Sequence, residues 1–87
     1  MSAVVRLPRL LTPAVVTGLR HEVGGRTLGE VLDNLFSTEP ALRGHLLDEQ
    51  GGIRPHVLIF VDGTRAELDT PIAPNAEVRV LQAVSGG

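Results

Sequence analysis

The sequence predicts an α+β fold: one mixed β-sheet, one main helix packed across it, and first and last strands that run parallel. Three observations carry this prediction. Short β-rich segments stand at both ends of the chain, VVRL near the start and EVRVLQA near the finish. One strong amphipathic helix pattern, TLGEVLDNLF, lies between them. The segment HVLIFVDG closes on Asp-Gly, a strong two-residue hairpin signal. A helix between the outer segments provides the crossover that parallel pairing requires. The last strand then lies inside the sheet, and the chain end projects from it.

The elements follow in order. Val4 to Leu7 reads as the first strand, stopped by Pro8. Arg9 to Gly18 is punctuated by Pro13 and Gly18 and reads as a loop with partly buried apolar residues. Leu19 to Val23 alternates apolar and polar, a second strand, and Gly24-Gly25 turns the chain. Thr27 and Glu30 have the spacing of a capping box, in which hydroxyl and carboxylate each satisfy an orphan N–H at a helix start. Leu28, Val31, Leu32, Leu35 and Phe36 recur on one helical face, while Asp33 and Asn34 face water. Ser37 to Pro40 ends this helix, and Ala41 to Leu47 reads as a further short helical turn. Asp48 to Gly52 reads as a flexible, solvated loop. His56 to Val61 is a continuous apolar run, expected to be covered on both faces or nearly so. Asp62-Gly63 turns it into a returning strand, Thr64 to Leu68. Tight turns at Thr70-Pro71-Ile72 and Pro74-Asn75 precede the last strand, Glu77 to Ala83.

Composition narrows the function. The 87 residues read as one domain over 1–87, with a flexible tail at 84–87. The core must be aliphatic, because Phe36 and Phe60 are the only aromatics. With no cysteine the chain has no disulfide, thiolate metal site or thiol nucleophile. His21, His45 and His56 are spread over separate elements without metal-ligand spacing. The net charge of −2, with signs intermixed, argues against nucleic acid as a partner. The start MSAVVRLPRLL is too short and charged for a signal peptide, and no run is long enough for a membrane span. The protein is read as cytoplasmic. All eight basic residues are arginine, so the chain offers no lysine to link copies of itself.

The chain ends Ala83-Val84-Ser85-Gly86-Gly87. Gly24-Gly25 and Gly51-Gly52 use the same dipeptide for turning, so the ending has a bland reading as an unstructured terminus. Its chemical reading is sharper. Without Cβ, Gly-Gly can thread a narrow channel and take backbone angles closed to other residues. The reactive group is then the Gly87 carboxylate, ionised at neutral pH and a poor electrophile until an ATP-dependent partner makes it an acyl-adenylate. A persulfide sulfur displacing AMP leaves a C-terminal thiocarboxylate.

The helix TLGEVLDNLF, the segment HVLIFVDG and the ending VRVLQAVSGG together resemble the ubiquitin-like sulfur carriers of the MoaD, ThiS and CysO type, over essentially the whole chain. VVRLPRLLTP and LQAVSGG look most like the CysO-type carriers of cysteine synthesis. The resemblance implies the β-grasp fold and a protein cosubstrate, not an enzyme. It implies that a MoeB/ThiF-like enzyme adenylates Gly87, that Gly86 and Ser85 thread the tail, and that a biosynthetic enzyme accepts the sulfur. No cofactor is bound; ATP is used by the partner. Leu81, Ala83 and Val84 match the apolar stretch through which relatives dock, although Leu81 and Val84 could equally be core; Phe60 is a further docking candidate on a strand whose side the sequence leaves open. The turn at Pro74-Asn75-Ala76 departs from the Asp-Gly-Asp of many relatives, and Asn can take the left-handed conformation that glycine supplies. The free chain is expected to be monomeric. The ending is also compatible with the small subunit of molybdopterin synthase, with a protein modifier joined to lysines of targets, and with a non-catalytic binding module.

Overall fold

The computed structural model describes residues 2–83. The elements are β1 (Ala3–Arg6), a 3-10 helix (Arg9–Ala14), β2 (Arg20–Val23), α1 (Leu28–Thr38), α2 (Leu42–Leu46), β3 (Val57–Val61), β4 (Thr64–Arg65) and β5 (Glu77–Gln82). The five strands form one sheet in the order β2-β1-β5-β3-β4. β1 and β5 pair in parallel, and the remaining pairs are antiparallel. This is the β-grasp arrangement: a mixed sheet with one main helix across it, and the last strand at its centre.

Strand periodicity decides which face carries the core. Ala3 and Val5 of β1, Val57 and Ile59 of β3, and Val78 and Val80 of β5 are all buried on one face. Against them α1 lays Leu28, Val31, Leu32, Leu35 and Phe36, all buried. These side chains are almost entirely aliphatic, so non-directional burial of apolar area holds sheet to helix.

The start of α1 explains the chain path on both sides of it. The Thr27 hydroxyl accepts from Glu30 N–H at 3.2 Å, as a capping box predicts. The Glu30 carboxylate reaches one residue further back than that motif requires and accepts from Arg26 N–H at 3.0 Å. Two more orphan donors go elsewhere: Leu28 N–H to the Thr70 carbonyl at 2.9 Å and Gly29 N–H to the Leu68 carbonyl at 2.8 Å. Gly25 fits beneath this turn because it lacks a side chain. Its φ is +151°, and a Cβ there would stand 2.7 Å from Val31 N.

Several expectations change. The segment from Arg9 contains a 3-10 helix to Ala14 rather than only loop, with Pro13 inside it and Leu11 buried. A tight helix tolerates Pro13 because such a short element leaves most of its donors unbonded in any case. The returning strand stops at Arg65 instead of Leu68, since the Leu68 carbonyl serves the helix start. β3 is not covered on both faces: Val57 and Ile59 are buried while Leu58 and Phe60 are half-buried on the open side. The loop at Asp48–Gly52 is tied down rather than loose. The Asp48 carboxylate accepts from Gln50 N–H at 2.9 Å and Gly52 N–H at 3.0 Å, and Leu47 bridges to Ile53. The two predicted left-handed turns form, with φ of 49° and 86° at Asp62-Gly63 and 66° at Asn75.

Candidate functional site

β5 pairs with β1 over Glu77 to Arg79 and with β3 over Val78 to Gln82. The last rung among the described residues is Ala83 N–H donating to the His56 carbonyl at 2.8 Å. Ala83 itself is exposed. Val84, Ser85, Gly86 and Gly87 lie outside the described residues. The strand that precedes them is the middle one of the five.

Alternation along β5 assigns its faces. Val78 and Val80 point into the core, which turns Glu77, Arg79 and Leu81 to the open side. Leu81 is 40 % exposed, which answers whether it is core. Register places Leu58 directly opposite Leu81, and Phe60 opposite Arg79. Phe60 therefore shares the face of Leu81, and the two line a shallow depression with Gly63, Glu77 and Arg79. Of the sequence-predicted docking residues, Phe60 and Leu81 come together and Ala83 follows at the edge.

Sequence reasoning passed over three apolar residues in this region. Leu58 belongs to the same open face. Leu10 and Val16 are 63 % and 87 % exposed and, with Leu81, make up the exposed large apolar side chains of the described residues. Leu10 follows the end of β1, and since β1 and β5 are parallel this is the end at which β5 delivers the tail. Val16 lies in the loop returning from that end to β2. Exposed apolar groups gathered at one end mark an interaction surface.

Glu39, also unremarked in the sequence, fixes that loop. It caps the end of α1, and its side chain is fully buried. Its two carboxylate oxygens accept from Val16 N–H, Thr17 N–H and Thr17 Oγ1, each at 2.7 Å. His21 Nε2 stands 3.6 Å away and hydrogen-bonds the Gly18 carbonyl. The Thr17 hydroxyl, then the Thr17 and Val16 N–H groups, hold the Glu39 carboxyl below its ordinary range; burial opposes this and the charge of His21 adds to it. A buried carboxylate thereby holds in place a loop that turns Val16 into solvent.

Geometry of this kind defines a class before it defines a member: a β-grasp domain whose last strand is the central one. Residues 14–87 match the ThiS family. The chain belongs to the ThiS family of ubiquitin-like sulfur carriers, small proteins that serve as substrates of E1-like activating enzymes and bind no cofactor themselves. It is 31 % identical over 64 residues to small archaeal modifier protein 1 of Haloferax volcanii, covering 74 % of each chain. The crystal structure of that archaeal protein superposes with a TM-score of 0.82 over the whole of both chains, at 29 % identity. CysO of Mycobacterium tuberculosis superposes with a TM-score of 0.85 at 27 % identity, over 94 % of this chain and 99 % of that one. CysO in the Amycolatopsis orientalis BexX/CysO complex shares the fold, with a TM-score of 0.88 at 20 % identity over 98 % and 99 % of the chains. Among the described residues no helix is long and apolar enough to cross a membrane.

Proposed function

We propose that the Gly87 carboxylate is the reactive group, adenylated by a MoeB/ThiF-like enzyme and converted to a thiocarboxylate that supplies sulfur to a biosynthetic enzyme. The carboxylate attacks the α-phosphorus of ATP and expels pyrophosphate. A persulfide sulfur then displaces AMP, and a second thiol reduces the resulting acyl disulfide to leave the thiocarboxylate. Gly86 and Ser85 thread the channel of the partner; Phe60, Leu81, Ala83 and Val84 dock it. The carrier works as a cytoplasmic monomer, where ATP is available. Likeness to CysO of M. tuberculosis supports cysteine synthesis as the receiving pathway.

The observation that carries this reading is that the family match runs through residue 87 while the strand just before it is central in the sheet. The test is the intact mass of the protein isolated gently, without reductant, from its host. A species heavier by one oxygen-to-sulfur exchange, localised to Gly87, is the expected result. Failure to form an acyl-adenylate with ATP and the cognate activating enzyme would sink it.

A second reading, attachment of Gly87 to lysines of target proteins, is favoured by the likeness to small archaeal modifier protein 1. It predicts covalent adducts in host extract that vanish when Gly87 is deleted.

A further inference from the structure

The register of the sheet puts four arginines in line. Arg20 stands opposite Arg6 on β1, Arg6 beside Arg79 on β5, Arg79 opposite Phe60 on β3, and Phe60 opposite Arg65 on β4. Directly opposed residues share a face, so this row crosses the whole open side of the sheet. All four arginines are exposed. The neighbouring row brings Glu22, Val4 and Glu77 together. On the other flank lie Leu58 and Leu81. Arg6 pairs with Glu77 at 2.9 Å, Arg79 with Glu77 at 3.6 Å and Arg20 with Glu22 at 3.6 Å; Arg65 has no ion pair among the described residues.

Four arginines against Glu22, Glu77 and Asp62, which faces Glu77 and accepts from its N–H at 2.9 Å, leave this face at +1, within a chain of eight arginines and ten acids whose net charge is −2. The remaining four arginines and seven acids leave −3 elsewhere. One face is thus basic on an acidic protein, and it adjoins the apolar depression beside the last strand.

We propose that this face docks the adenylating enzyme through an acidic surface bordering an apolar contact for Phe60 and Leu81. The proposal rests on the carrier reading above and adds the chemistry of its partner. The composition of the face selects a transient partner. A permanent subunit would bury an apolar, charge-poor surface, whereas here a row of four arginines includes Phe60 and runs beside Leu58 and Leu81. Complementary charge speeds encounter and leaves release easy, as a carrier that must depart after activation requires. Nucleic acid is the poorer fit: the row has a single aromatic, and Glu77 bonds two of its arginines where a phosphate would have to enter.

The test is steady-state ATP–pyrophosphate exchange by the host adenylating enzyme, with the carrier varied at low and high salt. The R65E/R79E double variant should raise KM for the carrier about tenfold or more, which is about 1.4 kcal/mol, with kcat unchanged. It should also lose most of the salt dependence shown by the wild type. Deleting Gly87 removes exchange but should leave a competitive inhibitor, and R65E/R79E on that background should abolish the inhibition. Circular-dichroism melts of both chains exclude a folding defect, and R65Q should fall between wild type and R65E. An unchanged KM and salt dependence would overturn the acidic contact while leaving the carrier reading intact. Absence of exchange with the wild type would overturn both. Salt-sensitive binding of a labelled single-stranded RNA oligonucleotide, lost in R65E/R79E, would reassign the face and overturn the proposal.

Discussion

At the residue scale Glu39 is the most informative side chain. A fully buried carboxylate is tolerable only when its charge is met, and three donors at 2.7 Å meet it. Its folded pKa is lowered from the ordinary 4.5, so the stability it contributes is fully present above that value. That stability is lost as pH falls through the folded pKa. Glu39→Gln keeps the size but turns an amide N–H₂ toward the Val16 or Thr17 N–H. Near neutral pH the variant should therefore melt below the wild type. The gap should narrow as the wild-type carboxylate protonates below about pH 4.5. Thermal melts of both proteins between pH 7 and about pH 3 check this; a gap independent of pH would show that shape rather than charge matters there. Nothing in the local pattern around Ser37–Pro40 marks Glu39 as special. Its partners lie more than twenty residues away, and only the fold brings them together.

At the element scale, legibility followed the range of the determining interaction. α1 could be read because its cap and its apolar stripe are local. β5 could be read as a strand because it alternates, but the reading left Leu81 open between core and interface, and only its 40 % exposure decides it. The side of Phe60 could not be read: a continuous apolar run has no intrinsic face, and pairing with Arg79 assigns it. The end of β4 was equally hidden, because a distant helix start claims the Leu68 carbonyl. The arginine row is the extreme case, since it exists only in the register of all five strands. Packing of α1 on the sheet sets a prediction at this scale. Leu32 is fully buried, and Leu32→Ala should cost about 2–5 kcal/mol. Denaturant unfolding measures that loss. At a temperature where the variant remains folded, activation of the tail should match the wild type, because the substitution touches the scaffold and not the chain end.

For the whole molecule, the decisive relation is that the scaffold and the proposed chemistry occupy different parts of the chain. The five strands, the helix across them and the buried core all lie in the described residues 2–83, where the last rung is at Ala83 N–H. The reactive group assigned to Gly87 comes after that rung. A chain ending at Ala83 should therefore unfold in a cooperative transition at nearly the wild-type temperature, with an unchanged far-ultraviolet spectrum. It should form no acyl-adenylate. It should still compete with the intact carrier for the adenylating enzyme, though more weakly, because the open face persists while the tail contacts are lost. Melting curves, adenylation and competition on one preparation separate these outcomes. Loss of the fold would show that the tail belongs to the scaffold. Retention of adenylation would remove Gly87 from the chemistry. A folded chain that neither reacts nor competes would place all recognition in the tail, and the sheet face would then have no part in docking.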